Sequence, residues 1–254
     1  MVSPIVIKVS GNHLDDDGFI KSLAKTILSI DEPVVLVHGG GKAITHMQSV
    51  MGIVPQYVDG LRVTDAASMG LVEMVLCGTI NTKVTRILNA CGLDALGLNG
   101  ADRGLIRAQK LHHPSADLGN VGVPTTVNGT WLKQLLNEGI TPVIAPIGFG
   151  DEGPLNINAD HAAGAIAKAI GASRVIFVSN VAGVLKDGDV IPLLTPTEVD
   201  ELIENGVISD GMIPKVRTAQ DILAFGIPEV VITNLDGILA GIGTSFISEP
   251  VYNK

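Results

Sequence analysis

Short runs of β-branched residues alternate along the whole chain with longer alanine- and leucine-rich segments that have helical period. This alternation is typical of βαβ units, in which the parallel strands are apolar throughout because helices cover both faces of the sheet. The buried strands that the pattern predicts are Ile5–Val9, Val34–Val37, Pro142–Pro146, Val175–Val178 and Glu229–Thr233. We therefore expect an α/β protein built on a mainly parallel sheet.

The segments between these strands carry the helical signals. Several of them end at a glycine, the residue that most readily adopts the left-handed conformation found at helix ends. Between Leu96 and Val123 the pattern is strand-like but irregular, and Lys186-Asp187-Gly188-Asp189 has the composition of a hairpin turn. The predicted helices are Gly18–Ser29, Lys42–Met51, Asp65–Ala90, Gly129–Glu138, His161–Ile170, Thr197–Asn205 and Pro214–Ala224.

No internal repeat or linker divides the chain of 254 residues. At about 150 residues per domain, this length fits one large domain or two small ones. The best boundary lies near Gly171, after the predicted helix that begins at His161. It predicts an N-terminal lobe of residues 1–172 and a C-terminal lobe of residues 173–254 that share one sheet.

Composition and charge exclude several classes of protein. Apolar residues make up 46% of the chain and charged residues only 17%, which excludes a disordered chain. The net charge of −9 argues against non-specific binding to nucleic acid or to an anionic membrane. Cys77 and Cys91 are too few for a disulfide framework or a zinc site. The N-terminus does not match a signal peptide, and no apolar run approaches the roughly 18 residues of a membrane span, so we expect a soluble, cytoplasmic protein.

Two glycine-containing loops follow predicted strands and each carries a lysine. In His38-Gly39-Gly40-Gly41-Lys42, three glycines at a strand-to-helix turn allow backbone N–H groups to approach an anion at the positive end of the helix. In Lys8-Val9-Ser10-Gly11-Asn12, the lysine stands at the carboxyl end of a strand, where open α/β sheets bind their ligands. A tight turn would explain a single glycine, but three in a row favour anion binding, whereas Lys8 taken alone is explained equally well as a solvated lysine. Together at one edge of a sheet they indicate phosphate chemistry.

Polar and apolar residues alternate in Asn156-Ile157-Asn158-Ala159-Asp160, just before an alanine-rich helix. If this segment is extended, the side chains of Asn156, Asn158 and Asp160 share one face. An N-cap role explains Asp160 by itself. Three aligned polar groups at the start of an apolar helix instead indicate a binding site.

Two further cations lie close to predicted helix starts. Arg62 precedes the helix for which Thr64 is a candidate N-cap, and its planar fork is suited to a carboxylate. Lys215 follows the turn that begins at Ser209 and sits at a helix N-terminus, where the dipole gains nothing from a cation, so an anion would hold it there. Taken singly, each is explained equally well as a surface residue.

These motifs occur together, in this order and spacing, in one known family. The sequence resembles the acetylglutamate kinases of the amino acid kinase family over essentially its whole length. The motifs are the Lys8 loop, the His38–Lys42 loop, Gly60–Thr64, Asn156–Asp160 and Asp210–Lys215. The resemblance implies a three-layer α/β/α sandwich with a central, mostly parallel open sheet. Its N-terminal lobe would bind the acylated amino acid and form the dimer, and its C-terminal lobe would bind the nucleotide.

The resemblance also implies a reaction and the roles of site residues. ATP with Mg²⁺ would donate its γ-phosphoryl group to the side-chain carboxylate of N-acetyl-L-glutamate in arginine biosynthesis. Lys8 and Lys215 would stabilise the phosphoryl group in transfer, and Asp160 would orient both lysines; no metal ligand from the protein is implied. The implied binders of the acylated amino acid are Gly40, Gly41, Arg62, Asn156 and Asn158. The implied nucleotide binders are Gly11, Ser179, Asn180, Gly183, Val184, Asp210, Gly211 and Met212.

The sequence departs from the family at one position and leaves three alternatives open. Ser10 stands where the family usually has a glycine, and its Cβ restricts φ and crowds a phosphate. Only a few residues precede the first strand, so the N-terminal helix of arginine-inhibited hexamers is absent and we expect an arginine-insensitive homodimer. The alternatives are a sister kinase acting on N-succinylglutamate, one acting on carrier-linked α-aminoadipate, and a non-catalytic sensor with the same fold.

Overall fold

The computed structural model describes residues 2–249 of the chain. Residue 1 and residues 250–254, the last of the predicted C-terminal lobe, lie outside the described residues. The helices are α1 (Asp17–Leu28), α2 (Gly41–Val50), α3 (Ala66–Glu73), α4 (Thr82–Ala90), α5 (Gly129–Asn137), α6 (Ala159–Ile170), α7 (Pro196–Glu204), α8 (Ile213–Ala224) and α9 (Leu235–Ala240).

Within residues 2–249, sixteen strands belong to one large sheet, a small barrel and two hairpins. The strands of the large sheet are, in spatial order, β14 (Leu193–Leu194), β16 (Thr244–Phe246), β15 (Val230–Thr233), β11 (Arg174–Val178), β1 (Ile5–Val9), β2 (Val34–His38), β8 (Thr141–Ala145) and β5 (Ala95–Asn99). The barrel strands are β6 (Ile106–Lys110), β7 (Val121–Val127), β9 (Ile147–Gly150) and β10 (Gly153–Ile157). The hairpins are β3 (Tyr57–Val58) with β4 (Leu61–Arg62), and β12 (Leu185–Lys186) with β13 (Asp189–Val190).

The large sheet confirms the predicted mostly parallel architecture. Every predicted buried strand is present, and the strands from β15 to β5 pair in parallel. β16 runs antiparallel to β15, and β14 is parallel to β16. β14 and β16 span only two and three residues, too short to produce a strand signal in the sequence.

Two hydrophobic layers cover the two faces of the sheet, which makes the three-layer sandwich. Ile5, Ile7 and Val9 of β1 pack into the layer that includes α1, α2, α3 and α4. Val6 packs into the opposite layer, with α5, α6 and α8. Since side chains alternate along a strand, Lys8 shares the face of Val6, which is the face that α6 covers. This alternation places Lys8 within reach of the start of α6.

The long helix predicted over Asp65–Ala90 is present, but its middle is wider than an α-helix. Residues Met74–Asn81 form a π-helical segment between α3 and α4. The Thr82 hydroxyl donates to the Cys77 carbonyl, and the Thr79 hydroxyl to the Met74 carbonyl, both five residues earlier. The predicted N-cap, Thr64, was wrong by one residue: the Asp65 side chain accepts from the Ser68 N–H.

The irregular region between Leu96 and Val123 forms part of the barrel. β6 pairs with β7 through a register shift at Arg107 and Ala108, which breaks the alternation that a sequence pattern would show. The predicted hairpin turn is confirmed between β12 and β13. Among residues 2–249, no helix has the length and apolar character needed to cross a bilayer.

The order of strands changes direction at the pair β1 and β11. From β1 the chain continues to β2 on one side, and β11 and β15 are added later on the other side. Open α/β sheets bind ligands at such a switch point, outside the carboxyl ends of the strands. The loops that follow β1, β2 and β11 converge there.

Candidate active site

An ion pair between Lys8 and Asp160 occupies the centre of this edge. Lys8 is on β1 and Asp160 is in the first turn of α6, and their side-chain atoms Nζ and Oδ1 are 2.7 Å apart. Both side chains are largely buried. The Lys8 ammonium also lies 5.8 Å from the centroid of the Phe177 ring, on the neighbouring strand β11. These contacts fix the direction of the lysine before any ligand arrives.

The N-cap of α6 is Asn158 and not Asp160. The Asn158 side chain accepts a hydrogen bond of 2.8 Å from the Asp160 N–H. The Asp160 carboxylate is therefore free to pair with Lys8. The segment from Asn156 to Asn158 is extended, but Asp160 is helical, so the condition for one shared face holds for Asn156 and Asn158 and not for Asp160.

The two glycine loops lie against each other. A Cβ added to Gly11 would be 2.6 Å from the Gly40 Cα, so only glycine allows this approach of the two backbones. Ser10, where the sequence departs from the usual glycine, has φ −69° and ψ 140°, a conformation open to any L-residue. The φ restriction that a Cβ imposes therefore causes no strain at Ser10, and its hydroxyl accepts from the Asn12 N–H.

One cleft at this edge, the lysine cleft, has a volume of about 360 Å³. Lys8 and Lys215 both line it, together with His13 and Ser179. Lys215, near the start of α8, donates to the Ser179 hydroxyl at 2.8 Å and to Asn180 Oδ1 at 3.5 Å. Burial and the nearby charge of Lys8 lower the pKa of Lys215. The cleft therefore concentrates positive charge and favours an anion.

A second cleft, the glycine cleft, has a volume of about 220 Å³. It is lined by Gly40 and Gly41 at the start of α2, by Arg62 and by Asn156. Gly40 is the N-cap of α2 and has no side chain to cap it, so the first N–H groups of the helix are left for a ligand. Lys8 and Asp160 line this cleft as well as the lysine cleft, so the ion pair stands between them.

Arg62 is held in the glycine cleft by a network of hydrogen bonds. Its guanidinium donates to the Gly41 carbonyl at 2.9 Å, to the Thr45 hydroxyl at 2.8 Å and to Gln48 Oε1. The Tyr57 ring lies 4.8 Å from the guanidinium carbon. Burial lowers the pKa of Arg62, but its ordinary value is so high that the charge remains. The fork is therefore rigid and charged.

His38 stabilises the glycine loop that follows β2 by bonding to its backbone. Its imidazole is fully buried at the end of β2, and Nδ1 bonds to the Gly39 carbonyl at 3.2 Å. Asn81, in the π-helical segment, donates to His38 Nε2 at 3.1 Å and to the Val143 carbonyl at 2.8 Å. Burial lowers the pKa of His38 to about 4, so the ring is neutral at pH 7 and acts as a structural bridge.

The sequence and the fold match known proteins. A family model described as "Amino acid kinase family" matches residues 3–234. The chain belongs to that family. The chain is 52% identical over 245 residues to a protein of Roseiflexus sp. (strain RS-1) named "Acetylglutamate kinase", with 96% of this chain and 94% of that protein covered. A protein of the same name from Chloroflexus aggregans is 47% identical, with 96% of each chain covered.

Two solved structures share the fold. The protein smu.665 from Streptococcus mutans UA159 superposes with a TM-score of 0.80 at 31% identity, covering 96% of this chain and 98% of that one. The N-acetylglutamate synthase of Neisseria gonorrhoeae gives a TM-score of 0.81 at 23% identity, covering 97% of this chain and 62% of that one. The second match shows the fold alone.

The residues predicted from the family pattern fall into three groups. The lysine cleft contains Lys8, Asp160, Ser179, Asn180 and Lys215. The glycine cleft contains Gly40, Gly41, Arg62, Asn156 and Asn158, with Lys8 and Asp160 again. The residues that line neither cleft are Gly11, Gly183, Val184, Asp210, Gly211 and Met212.

The third group has structural contacts of its own. Val184 is buried in the core, and its N–H donates to the Thr244 hydroxyl at 2.8 Å. Gly183 has φ 158°, and a Cβ there would be 2.7 Å from Thr244 Oγ1. Asp210 to Met212 form the turn that leads into α8. Among the described residues, Asp160 contacts Lys8, whereas Lys215 is bonded to Ser179 and Asn180. The roles of these residues toward ligands remain predictions.

The sequence analysis missed the residues that hold Arg62. Gln48 is buried on α2 and also donates to the Ser68 hydroxyl at 3.1 Å. Its signal was available, since it lies one helical turn after Ile44, on the apolar face of the helix. Tyr57 and Thr45 give no comparable signal, because each is an ordinary surface residue in its local pattern.

Proposed function

We propose that this chain transfers the γ-phosphoryl group of ATP to the side-chain carboxylate of N-acetyl-L-glutamate. The product is N-acetyl-L-glutamyl 5-phosphate, an intermediate of arginine biosynthesis. Full-length relatives named "Acetylglutamate kinase", 42–52% identical to this chain, support the choice of reaction and acceptor. The structural observation that carries the proposal is that the Lys8–Asp160 pair lines both clefts. A phosphoryl donor in one cleft and an acceptor in the other would then both contact the Lys8 ammonium, which brings the reacting groups together.

The acceptor needs positioning and no general base. A side-chain carboxylate has a reference pKa of about 4.3 and is ionised at pH 7. We place the acylated amino acid in the glycine cleft, where the Arg62 fork, Asn156 and the N–H groups at the start of α2 are available to it. The attacking oxygen then faces Lys8 at the boundary of the two clefts.

The donor needs stabilisation of the charge that spreads over the oxygens of the phosphoryl group in transfer. We place the triphosphate in the lysine cleft, where Lys8 and Lys215 approach it from β1 and α8. The two ammonium groups repel each other, and burial together with this repulsion lowers the pKa of Lys215. A polyanion between them removes this repulsion, while Asp160 keeps Lys8 in position.

The side chains around the lysine cleft fit a metal ion that is carried by the nucleotide. Among residues 2–249, no group of three or more His, Cys, Asp or Glu side chains is placed to hold a metal ion. The acidic residue that lines the lysine cleft, Asp160, is paired with Lys8. Mg²⁺ bound to the phosphates would neutralise part of their charge.

We further propose a homodimer of two-lobed subunits that works in the cytoplasm and binds neither nucleic acid nor membrane. The division into residues 1–172 and 173–254 agrees with the strand order, since β1, β2, β8 and β5 form one half of the sheet and β11, β15, β16 and β14 the other. Light scattering on the purified protein tests the dimer directly. A monomer would contradict it.

Trapping of the acyl phosphate with hydroxylamine tests the reaction. Purified protein with MgATP is given N-acetyl-L-glutamate, N-succinyl-L-glutamate, α-aminoadipate or free glutamate in parallel. We expect hydroxamate with N-acetyl-L-glutamate, and about 10²–10³-fold slower formation of hydroxamate by a Lys8→Ala variant. Product with another acid only would contradict the proposed acceptor and retain the mechanism. Absence of product with all of them would favour a carrier-linked substrate or a sensor.

A further inference from the structure

His13 lies in the lysine cleft beside the two lysines, outside every role described above. It is the last residue of the 3₁₀ turn Gly11–His13, which Ser10 caps directly after β1. Its ring stacks on Phe19 of α1, with centroids 4.7 Å apart and planes inclined by 18°. This stacking holds the imidazole at the wall of the cleft. Among the described residues, none shifts the pKa of His13 through a hydrogen bond.

We propose that the His13 imidazole is a further ligand of the terminal phosphates of the nucleotide and takes up a proton when they bind. The inference rests on the proposed function, because it requires that a nucleotide fill the lysine cleft. It gives His13 a role in binding the donor and none as a general base.

The charges around His13 explain why it is neutral before the nucleotide binds. Lys8 on β1 and Lys215 on α8 face it across the cleft, and Asp160 on α6 is already paired with Lys8. Burial, then Lys215, then Lys8 lower the pKa of His13 below the ordinary value for histidine.

The acidic residues that follow His13 do not offset this. Asp15 pairs with Lys42 of α2 at 3.6 Å, and Asp17 pairs with Lys83 of α4 at 2.8 Å. Asp16 caps α1 by accepting from the Gly18 N–H. The electrostatic potential at the imidazole is therefore dominated by the positive charges of the two lysines.

A bound triphosphate reverses this potential. The phosphate oxygens neutralise both lysines and add negative charge next to the ring, so the protonated form becomes favourable. The proton comes from the buffer and forms the second N–H bond of the ring, after which both nitrogens are donors. Since uptake of a proton is linked to binding, nucleotide affinity must fall as the pH rises.

Calorimetric titration with MgATP, without acceptor, measures this uptake. The titration is run near pH 7 in two buffers that differ in ionisation enthalpy, so the difference in heat gives the protons bound. His13→Phe retains a ring to stack on Phe19 and removes the titrating nitrogens. His46→Phe is the matched control, since His46 is exposed on α2 and lines neither cleft.

We expect wild type and His46→Phe to take up a substantial fraction of a proton more than His13→Phe does. The Kd for MgATP should rise about tenfold between pH 6.5 and 8 in wild type and stay nearly level in His13→Phe. Equal proton uptake and equal pH profiles in wild type and His13→Phe would overturn the inference while leaving the proposed function intact. Absence of MgATP binding to wild type would overturn both.

Discussion

The two clefts are built in different ways, although they share the Lys8–Asp160 pair. In the glycine cleft the cation is tied to its surroundings: Arg62 is bonded to Gly41, Thr45 and Gln48 and covered by Tyr57. In the lysine cleft, Lys215 is bonded only to Ser179 and Asn180 among the described residues, and burial together with repulsion from Lys8 lowers its pKa. The glycine cleft is therefore preorganised by hydrogen bonds, whereas the lysine cleft contains positive charge that nearby carboxylates only partly neutralise.

This difference assigns the two clefts to different parts of catalysis. The Arg62 guanidinium is rigid and hydrogen-bonded, which suits a ligand group whose charge does not change during the reaction. Its binding energy then stabilises the ground state and the transition state equally. Incompletely compensated lysines act most strongly where negative charge develops, which is in the transition state. We therefore expect changes in the lysine cleft to lower kcat and changes in the glycine cleft to raise KM.

The largest effect is expected from the lysines. Lys8→Ala or Lys215→Ala should lower kcat by about 10²–10³-fold, the scale of losing one preorganised donor to a developing oxyanion. Lys25→Ala, an exposed lysine of α1, is the matched control and should leave kcat unchanged. Steady-state assays with both substrates saturating give the comparison. Near-normal kcat in both cleft variants would remove these lysines from the reaction.

Arg62→Ala should raise the KM for N-acetyl-L-glutamate by about 10–100-fold with a smaller change in kcat, as expected when ground-state binding is lost. Gln48→Ala, which leaves one guanidinium N–H without its acceptor, should raise KM less and in the same direction. The KM for MgATP serves as the internal control and should not change in either variant. A fall in kcat alone would contradict the assignment of the glycine cleft.

The contact between the two glycine loops offers a way to disturb both clefts at once. In Gly11→Ala the new Cβ would meet backbone atoms of Gly40 at 2.6 and 2.7 Å, so the loops must separate, at a cost of about 1–3 kcal/mol. We expect KM to rise for both substrates. Gly70→Ala on α3 is the control, because its Cβ would meet nothing within 4 Å and Gly70 lines neither cleft. Equal effects of the two variants would contradict the importance of this contact.

Local patterns in the sequence predict the large sheet because its strands are short, uniformly apolar and followed by helices. They fail where the structure is irregular. The barrel contains a register shift at Arg107 and Ala108, which disrupts the alternation of side chains. The π-helical segment Met74–Asn81 looks like ordinary helix in its hydrophobic pattern, yet it brings Asn81 to His38. The π-helical geometry of this segment depends on tertiary contacts, which a short sequence pattern does not encode.

Motifs predict those site residues whose position next to a predicted strand or helix end already indicates a ligand-binding role. Lys8 and Asp160 lie at strand and helix ends, where ligands bind, and both were predicted from those positions. No local pattern marks the partners of Arg62: Gln48 comes from α2, and Tyr57 is the cross-strand partner of Arg62 in a hairpin whose strands span only two residues each. His13 was not predicted, because its role depends on lysines of β1 and α8 that only the fold brings near.

The smallest effect is expected from acid, acting on the support beneath the glycine cleft. Burial lowers the pKa of His38 to about 4, whereas the unfolded chain binds this proton near pH 6.5. Between these values the unfolded state binds more protons, so the free energy of unfolding falls as the pH is lowered. By pH 5 the loss is about 2 kcal/mol relative to pH 7.

Urea unfolding at pH 7 and pH 5 isolates this contribution when wild type is compared with His38→Gln. The variant loses the titrating group, so its stability should fall less between the two pH values, even though it begins lower because Gly39 and Asn81 lose a partner. His46→Gln should follow wild type, since His46 is exposed. The same acid sensitivity in wild type and His38→Gln would mean that the glycine loop does not depend on a neutral His38. The preorganisation of the glycine cleft would then have to come from the Arg62 network alone.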